Sequence, residues 1–279
     1  NINIIMLFLT LLGNSTLIYL TPRKTFSSLF FPSFAWILIV SLVFVVLSFF
    51  FPFFQKDYIF QTIFISLLAS INEINYYVLM GREKIVKANN IKIICVAVNV
   101  GVILLLWFFG KFTSIEGYLV SMWVAYIISV AYGIIILKKD YLSLHINKEE
   151  IKDSIKSLFS LGVVKQLGSI AQKMNYRVSF YIIALFCGKE LLGIYSNSCA
   201  LCEAVMLFGG SLALVQYSSL SNSQDNNQAK RLTINLTKVN CLFTFLALAF
   251  LCLMPKSFYV FLFGKGFDEK NLRRMMQFA

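Results

Sequence analysis

The chain has 279 residues, of which 58% are apolar and only 14% are charged. A soluble domain of this length cannot bury so much apolar surface, whereas a helical protein that crosses a membrane several times is expected to have this composition. The net charge of +12 does not indicate nucleic acid as a partner, because the basic residues fall between hydrophobic runs rather than in one patch with interleaved aromatic residues. We therefore expect an all-α polytopic membrane protein.

Eight hydrophobic runs are each long enough to cross about 30 Å of hydrocarbon. The second run is the most apolar, and its prolines, Pro32 and Pro52, lie near its ends, where a missing N–H group is best tolerated. The predicted spans are Ile2–Leu20, Phe31–Phe53, Tyr58–Met80, Ile91–Gly110, Ile115–Leu137, Leu158–Cys187, Leu192–Leu220 and Ile234–Leu262.

Basic residues alternate between the segments that connect these spans. The segments after the first, third, fifth and seventh spans hold most of the lysines and arginines, and the positive-inside rule places them in the cytoplasm. Asn1 then lies outside, so an odd number of helices, most simply one, is expected before it. Because the chain begins with Asn1 inside an apolar run, we interpret it as an internal piece of a longer protein.

The longest polar segment comprises residues 138–156. Its mixed charge and the helical spacing of Ile146, Ile151 and Ile155 predict a cytoplasmic amphipathic linker. This linker divides the chain into a first transmembrane lobe, residues 1–137, with helices two to six, and the start of a second lobe, residues 157–279, with helices seven to nine.

The span after the linker carries three cations, Lys165, Lys173 and Arg177. On a helix, residues eight and twelve apart lie within roughly 80° and 120° of each other, so the three share one side. A cation at membrane depth costs about 3 kcal/mol and normally faces a cavity, a partner or the surface. We expect these cations to line the path of an anionic cargo, although Lys165 also fits an anchor at the membrane surface and Arg177 a structural ion pair. Nearby amides that could bind neutral sugars are Gln166, Gln172 and Asn175.

Two carboxylates lie well inside predicted spans, away from the span ends. Glu203 lies near the middle of its span, and Glu73 lies nearer one end of another, beside Asn72 and Asn75. An intramembrane carboxylate predicts a proton or cation relay, or a static ion pair, which for Glu203 would be with Lys173 or Arg177. Glu73 also fits a wet vestibule. Apart from such H⁺ or Na⁺ coupling, the sequence predicts no cofactor, because it has neither the grouping of His and Cys that a metal site needs nor a glycine-rich phosphate loop.

Several motifs carry a resemblance to a known family. Residues 158–221 hold a helix rich in small residues, an arginine-containing polar stretch and the sequence from Gly188 to Ser196, GKELLGIYS. They resemble the seventh and eighth helices of Wzx-type polysaccharide flippases, in the multidrug/oligosaccharidyl-lipid/polysaccharide exporter superfamily. Leu79–Lys84 and Phe263–Phe267 resemble that family's turns after its fourth and ninth helices. Ser179 stands where many members carry an aspartate, so any role of that acid does not transfer.

This resemblance implies two six-helix lobes around a central cavity, in a transporter of about twelve to fourteen helices that works by alternating access. The implied cargo is an undecaprenyl-pyrophosphate-linked oligosaccharide, a repeat unit of O-antigen or capsule, flipped across the bacterial cytoplasmic (inner) membrane. Arginine and lysine are the side chains that bind a pyrophosphate. The implied protein is not an enzyme, and its partners are the lipid-linked oligosaccharide, membrane lipids and other polysaccharide-assembly proteins.

Two alternatives stay open. A multidrug or small-molecule antiporter of the same superfamily would call for acidic and aromatic cavity walls, and the three cations argue against it. A membrane-embedded glycan polymerase or acyltransferase would place catalytic residues in a large outer loop, and every predicted outer loop is short.

Overall fold

The computed structural model describes residues 2–50, 58–109, 115–223 and 225–263. These residues form helices and no strands, which confirms the all-α prediction. The helices are α1 Ile2–Leu9, α2 Thr16–Leu20, α3 Phe26–Phe50, α4 Ile59–Gly81, α5 Ile85–Phe108, α6 Ile115–Ile136, α7 Lys138–Leu142, α8 Lys148–Asn222, α9 Asn226–Leu253 and α10 Lys256–Phe263.

Within the described residues, six helices are long and apolar enough to cross a membrane. The chain is therefore a multi-pass membrane protein, but the predicted number of eight spans is not confirmed. The six are Phe26–Ser48, Ile59–Gly81, Ile85–Phe108, Ile115–Ile136, Leu191–Asn222 and Asn227–Leu253.

The first predicted span, Ile2–Leu20, is not one helix. It is divided into α1 and α2 by an irregular segment, residues 10–15. The Asn14 side chain accepts a hydrogen bond from the Thr16 N–H (2.8 Å) and donates one to the Leu11 carbonyl (3.2 Å). Asparagine side chains that bond to nearby backbone in this way compete with the helical pattern. The prediction of a continuous helix here was wrong because it counted apolar residues and ignored this competition.

Side chains of α3 donate hydrogen bonds to carbonyl groups at this break. The Ser33 hydroxyl donates to the Leu12 carbonyl, and the Trp36 indole N–H donates to the Phe8 carbonyl, both at 2.9 Å. In a membrane such carbonyls cannot rely on water, so a broken helix is stable only where protein donors reach it.

The sixth and seventh predicted spans are joined without a loop, inside α8. The break lies at Gly188, with φ +83° and ψ 172°, a conformation that only glycine adopts readily. The position agrees with the predicted boundary after Cys187.

The apolar part of the sixth span is confined to Val178–Gly188, since the three cations interrupt the rest. At its other end, α8 begins at Lys148, so half of the predicted linker is helix continuous with the span.

The last predicted span, Ile234–Leu262, was wrong at both ends. α9 begins earlier because Asp225 caps it, accepting a hydrogen bond from the Asn227 N–H at 2.8 Å. It ends at Leu253 because Pro255 forces the preceding residue, Met254, into an extended conformation (ψ 135°). The predicted turn motif Phe263–Phe267 lies outside the described residues except for Phe263.

The chain divides into two compact units, residues 1–168 and 169–279, named unit 1 and unit 2. In unit 1, α4 is the central helix and packs against α1, α2, α3, α5 and α6. In unit 2, Ile194 and Tyr259 form a small buried cluster, and the Phe208 and Phe243 rings stack with centroids 3.7 Å apart. The lobes predicted around residues 138–156 stay a prediction.

Candidate functional site

Unit 1 contains a polar cluster between α4, α5 and α6, formed by Asn72, Glu73, Lys92 and Ser129. Glu73 forms an ion pair with Lys92, and the Lys92 ammonium also lies 4.7 Å from the centroid of the Tyr76 ring. The Ser129 hydroxyl lies 2.9 Å from the Asn72 Oδ1, which accepts its hydrogen bond. The cluster therefore joins three apolar helices through side chains that would be costly to leave unpaired in lipid.

The Glu73–Lys92 pair was not predicted, although the sequence held a signal for it. Both residues are equally far from the α4–α5 turn, which lies between Arg82 and Glu83, so an antiparallel hairpin brings them to the same level. The wet vestibule beside Glu73 stays a prediction. Its neighbours Asn72 and Asn75 are 2% and 0% exposed, which places them inside the helix packing.

A second group of contacts joins α4 to α7. The Arg82 guanidinium donates two hydrogen bonds to the Asp140 carboxylate, at 2.6 and 2.7 Å. These bonds from Arg82 hold the pKa of Asp140 below its ordinary value. Next to it, the Tyr141 hydroxyl donates to the Asn75 Oδ1 at 2.6 Å, and burial raises the pKa of Tyr141. The segment after α6 is thus fixed to the end of α4.

The structure explains the motif Leu79–Lys84. The Lys84 N–H donates to the Leu79 carbonyl at 3.0 Å and the Glu83 N–H to the Met80 carbonyl at 2.9 Å, which is the Schellman ending of a helix. Glu83 has φ +58°, where glycine is more usual. A Cβ atom at Gly81 would lie 2.7 Å from the Thr21 Cβ, so glycine lets α4 approach α2. The motif is a structural turn.

The first part of α8 belongs to unit 1. Here Lys165 is exposed, but Gln166 is only 6% exposed and its side-chain amide donates to the Leu7 carbonyl of the broken α1. Close by, a Cβ atom at Gly162 would lie 2.5 Å from the Leu11 carbonyl oxygen. Gln166, predicted to bind sugar, therefore has a packing role in the structure.

The remaining predicted ligands lie in unit 2. Gln172 and Asn175 are exposed on α8. The side chains of Lys173 and Arg177 lie outside the described part of the structure, which shows only that their backbone is helical. The cationic face therefore stays a prediction.

Glu203 is exposed on the same helix. Among the described side chains it has no ion-pair partner, in contrast to Glu73. Its predicted pairing with Lys173 or Arg177 falls on side chains outside the described part of the structure.

A family model described as polysaccharide biosynthesis protein matches residues 21–271, which is most of the chain. The chain belongs to this family. The match spans all six apolar helices and confirms the resemblance seen in the sequence. Neither a curated protein nor a solved structure matches the chain.

As a polysaccharide biosynthesis protein with several apolar helices, the chain is a membrane protein of a pathway that builds glycans. The side chains in its described part suit binding and helix packing. Unit 1 has three ion pairs and several buried amides, and α8 carries exposed cationic and amide side chains. No group of three or more His, Cys, Asp or Glu side chains that could hold a metal ion occurs within the described residues.

Proposed function

We propose that this polysaccharide biosynthesis protein flips undecaprenyl-pyrophosphate-linked oligosaccharide repeat units across the cytoplasmic membrane, by alternating access of two lobes. Transport of this kind moves the lipid-linked glycan without making or breaking a covalent bond. In this proposal residues 138–156 face the cytoplasm, and the cargo is delivered to the outer leaflet for assembly into O-antigen or capsule.

The observation that carries the proposal is the composition of the exposed surface of α8. Lys165, Gln172 and Asn175 are all exposed on a helix whose neighbouring residues are largely apolar. The sequence adds Lys173 and Arg177 to the same stretch. Because each cation costs about 3 kcal/mol at membrane depth, a membrane helix has little reason to carry three of them unless they bind an anion.

The chemistry of these side chains fits the two ends of the cargo head group. A pyrophosphate is a dense anion that arginine binds through paired hydrogen bonds and lysine as a point charge. Amides donate and accept hydrogen bonds, as neutral sugar hydroxyls require. Because Gln166 is buried against the Leu7 carbonyl, we assign the sugar contacts to the exposed side chains of Gln172 and Asn175.

We further propose Glu203 as the carboxylate that couples transport to H⁺ or Na⁺, because it is exposed whereas Glu73 is engaged by Lys92. Glu203→Gln should remove the dependence of transport on external pH or sodium. Glu73→Gln is the matched control: it should lower stability through the unpaired Lys92 and leave that dependence in place. Normal coupling in Glu203→Gln would contradict the assignment.

Deletion of the gene tests the flippase directly. The expected result is accumulation of single lipid-linked repeat units on the inner leaflet, with no glycan at the cell surface, reversed by the wild-type gene. Loss of a polymerase would instead leave single repeat units displayed at the surface, and loss of a multidrug antiporter would leave the glycan unchanged. Either of those results would overturn the proposal.

A further inference from the structure

The Arg82–Asp140 contact brings together two segments that lie outside the apolar spans. Lys84 immediately precedes α5 and Lys87 lies in its first turn, while Lys138 and Lys139 are the first two residues of α7. Lys84 lies close enough to Asp140 to contribute to the lowered pKa of that carboxyl. The four lysines therefore lie within five residues along the chain of one member of this ion pair, at one end of unit 1.

The positive charge of this region is not neutralised by the described side chains. All four lysines are exposed, and none has an ion-pair partner among the described residues. Asp140 is already paired with Arg82. Glu83 is the one carboxylate in the turn between α4 and α5. By contrast, Lys24 elsewhere in unit 1 is paired with Asp153 at 2.8 Å. An excess of positive charge remains.

Exposed apolar side chains accompany these lysines. Leu142 is 76% exposed and Ile146 is 71% exposed, although both follow the end of α6 at Ile136 and lie outside the six apolar spans. Contact with acyl chains along a span therefore does not account for their exposure. Val86, between Lys84 and Lys87, is 74% exposed as well.

The medium that satisfies both kinds of side chain is the boundary between acyl chains and head groups. Apolar side chains enter the upper acyl region there, while lysines reach the phosphates of anionic lipids. Each lysine close to an anionic membrane surface contributes on the order of 1 kcal/mol. Water alone would leave Leu142 and Ile146 hydrated, and a binding site for a soluble anion would not need them.

We propose that this region is an interfacial patch that binds the phosphate head groups of anionic phospholipids and so holds residues 138–147 on the bilayer surface. The patch consists of Lys84, Lys87, Lys138, Lys139, Leu142 and Ile146. The inference rests on the membrane location of the chain and is independent of the cargo that it carries.

The first test measures thermal unfolding of the full chain in lipid nanodiscs of phosphatidylcholine, with and without phosphatidylglycerol. Phosphatidylglycerol should raise the unfolding temperature of the wild type. The double variant Lys138→Gln with Lys139→Gln should lose more than half of that rise in unfolding temperature. Glu83→Gln adds net positive charge to the patch and should make the rise larger. The matched control is Lys230→Gln with Arg231→Gln, an equal loss of exposed charge in unit 2, which should keep most of the rise.

Equal losses in the two pairs would show a general effect of net charge and would overturn the patch. Inorganic phosphate added to phosphatidylcholine nanodiscs separates the two sources of phosphate. Inorganic phosphate should not raise the unfolding temperature as phosphatidylglycerol does. An equal rise with free phosphate would contradict a lipid site.

The second test locates the apolar side chains. An environment-sensitive fluorescent amino acid is placed at position 142 or 146, and lipids with brominated acyl chains are used as quenchers. The expected result is blue-shifted emission that the brominated lipids quench. Emission characteristic of water at both positions, without quenching, would contradict the proposal and would favour a protein partner as the missing cover.

Discussion

Unit 1 and unit 2 contain helices of similar apolar character, but their polar side chains are used differently. In unit 1, 67% of the apolar stretch of α4 is buried, and Asn72, Glu73 and Asn75 all contact neighbouring elements. In unit 2, none of the apolar stretch of α9 is buried, and Gln172, Asn175 and Glu203 are exposed. Asn72, Glu73 and Asn75 hold helices of unit 1 together. Because Gln172, Asn175 and Glu203 of α8 are exposed, they are the better candidates for binding cargo.

The largest expected effect tests the close packing of unit 1. Gly162→Ala should lower the free energy of unfolding by about 2 kcal/mol, because the added Cβ meets a backbone carbonyl that cannot move aside. Gly168→Ala, six residues later in the same helix, meets nothing within 4 Å and should be neutral or stabilising. Thermal unfolding in detergent measures both. Equal behaviour of the two variants would mean that α8 does not pack on the broken first span.

A comparable substitution in unit 2 tests backbone conformation instead of packing. Gly188→Ala should destabilise by about 2 kcal/mol, because a φ of +83° with a ψ of 172° strains any residue with a Cβ atom. Gly193→Ala, at a helical position with open space around it, serves as its control. If Gly188→Ala is as stable as the wild type, the break in α8 lies elsewhere.

Glu83→Gly should stabilise the chain by about 1 kcal/mol. Glu83 adopts φ +58° in the turn after α4, and a left-handed conformation costs a non-glycine residue about that much. Loss of stability in this variant would mean that the carboxylate makes a contribution larger than the backbone strain.

The smallest expected effect is a dependence on pH. Because Arg82 lowers the pKa of Asp140 below its ordinary value of 3.8, the pair stabilises the folded state above pH 3.8 and the stabilisation is lost as the pH falls through the lower folded value. Asp140→Asn should be less stable than the wild type at neutral pH, and the two should converge in acid. Parallel unfolding curves over the whole range would contradict the assignment.

The sequence predicts much of this structure where apolar length decides, and less where single polar residues decide. The third to fifth predicted spans agree with α4, α5 and α6 apart from their ends, and the break at Gly188 was expected. Asn14, Asp225 and Pro255 changed three helix boundaries, through a side-chain turn, a helix cap and the extended conformation of the residue before a proline. Such local effects are invisible to a count of apolar residues.

The candidate site was predictable only in part, for the same reason. The sequence shows that Glu73 and Gln166 lie in apolar runs, but it does not show which neighbours occupy them. The structure shows that Glu73 forms an ion pair with Lys92 and that Gln166 donates a hydrogen bond to the Leu7 carbonyl. Partners of this kind depend on helix packing, which brings together residues that are distant in sequence, such as Gln166 and Leu7.

The most direct test of the proposed transport replaces Lys173 and Arg177, which lie nearer than Lys165 to the middle of the predicted span Leu158–Cys187. In Lys173→Ala and in Arg177→Ala, we expect surface glycan to be lost while the protein still reaches the membrane at wild-type abundance. Lys148→Ala, an exposed lysine at the start of the same helix, should leave glycan display unchanged. Wild-type glycan display in both the Lys173 and the Arg177 variants would contradict an anionic cargo moving along this face of α8.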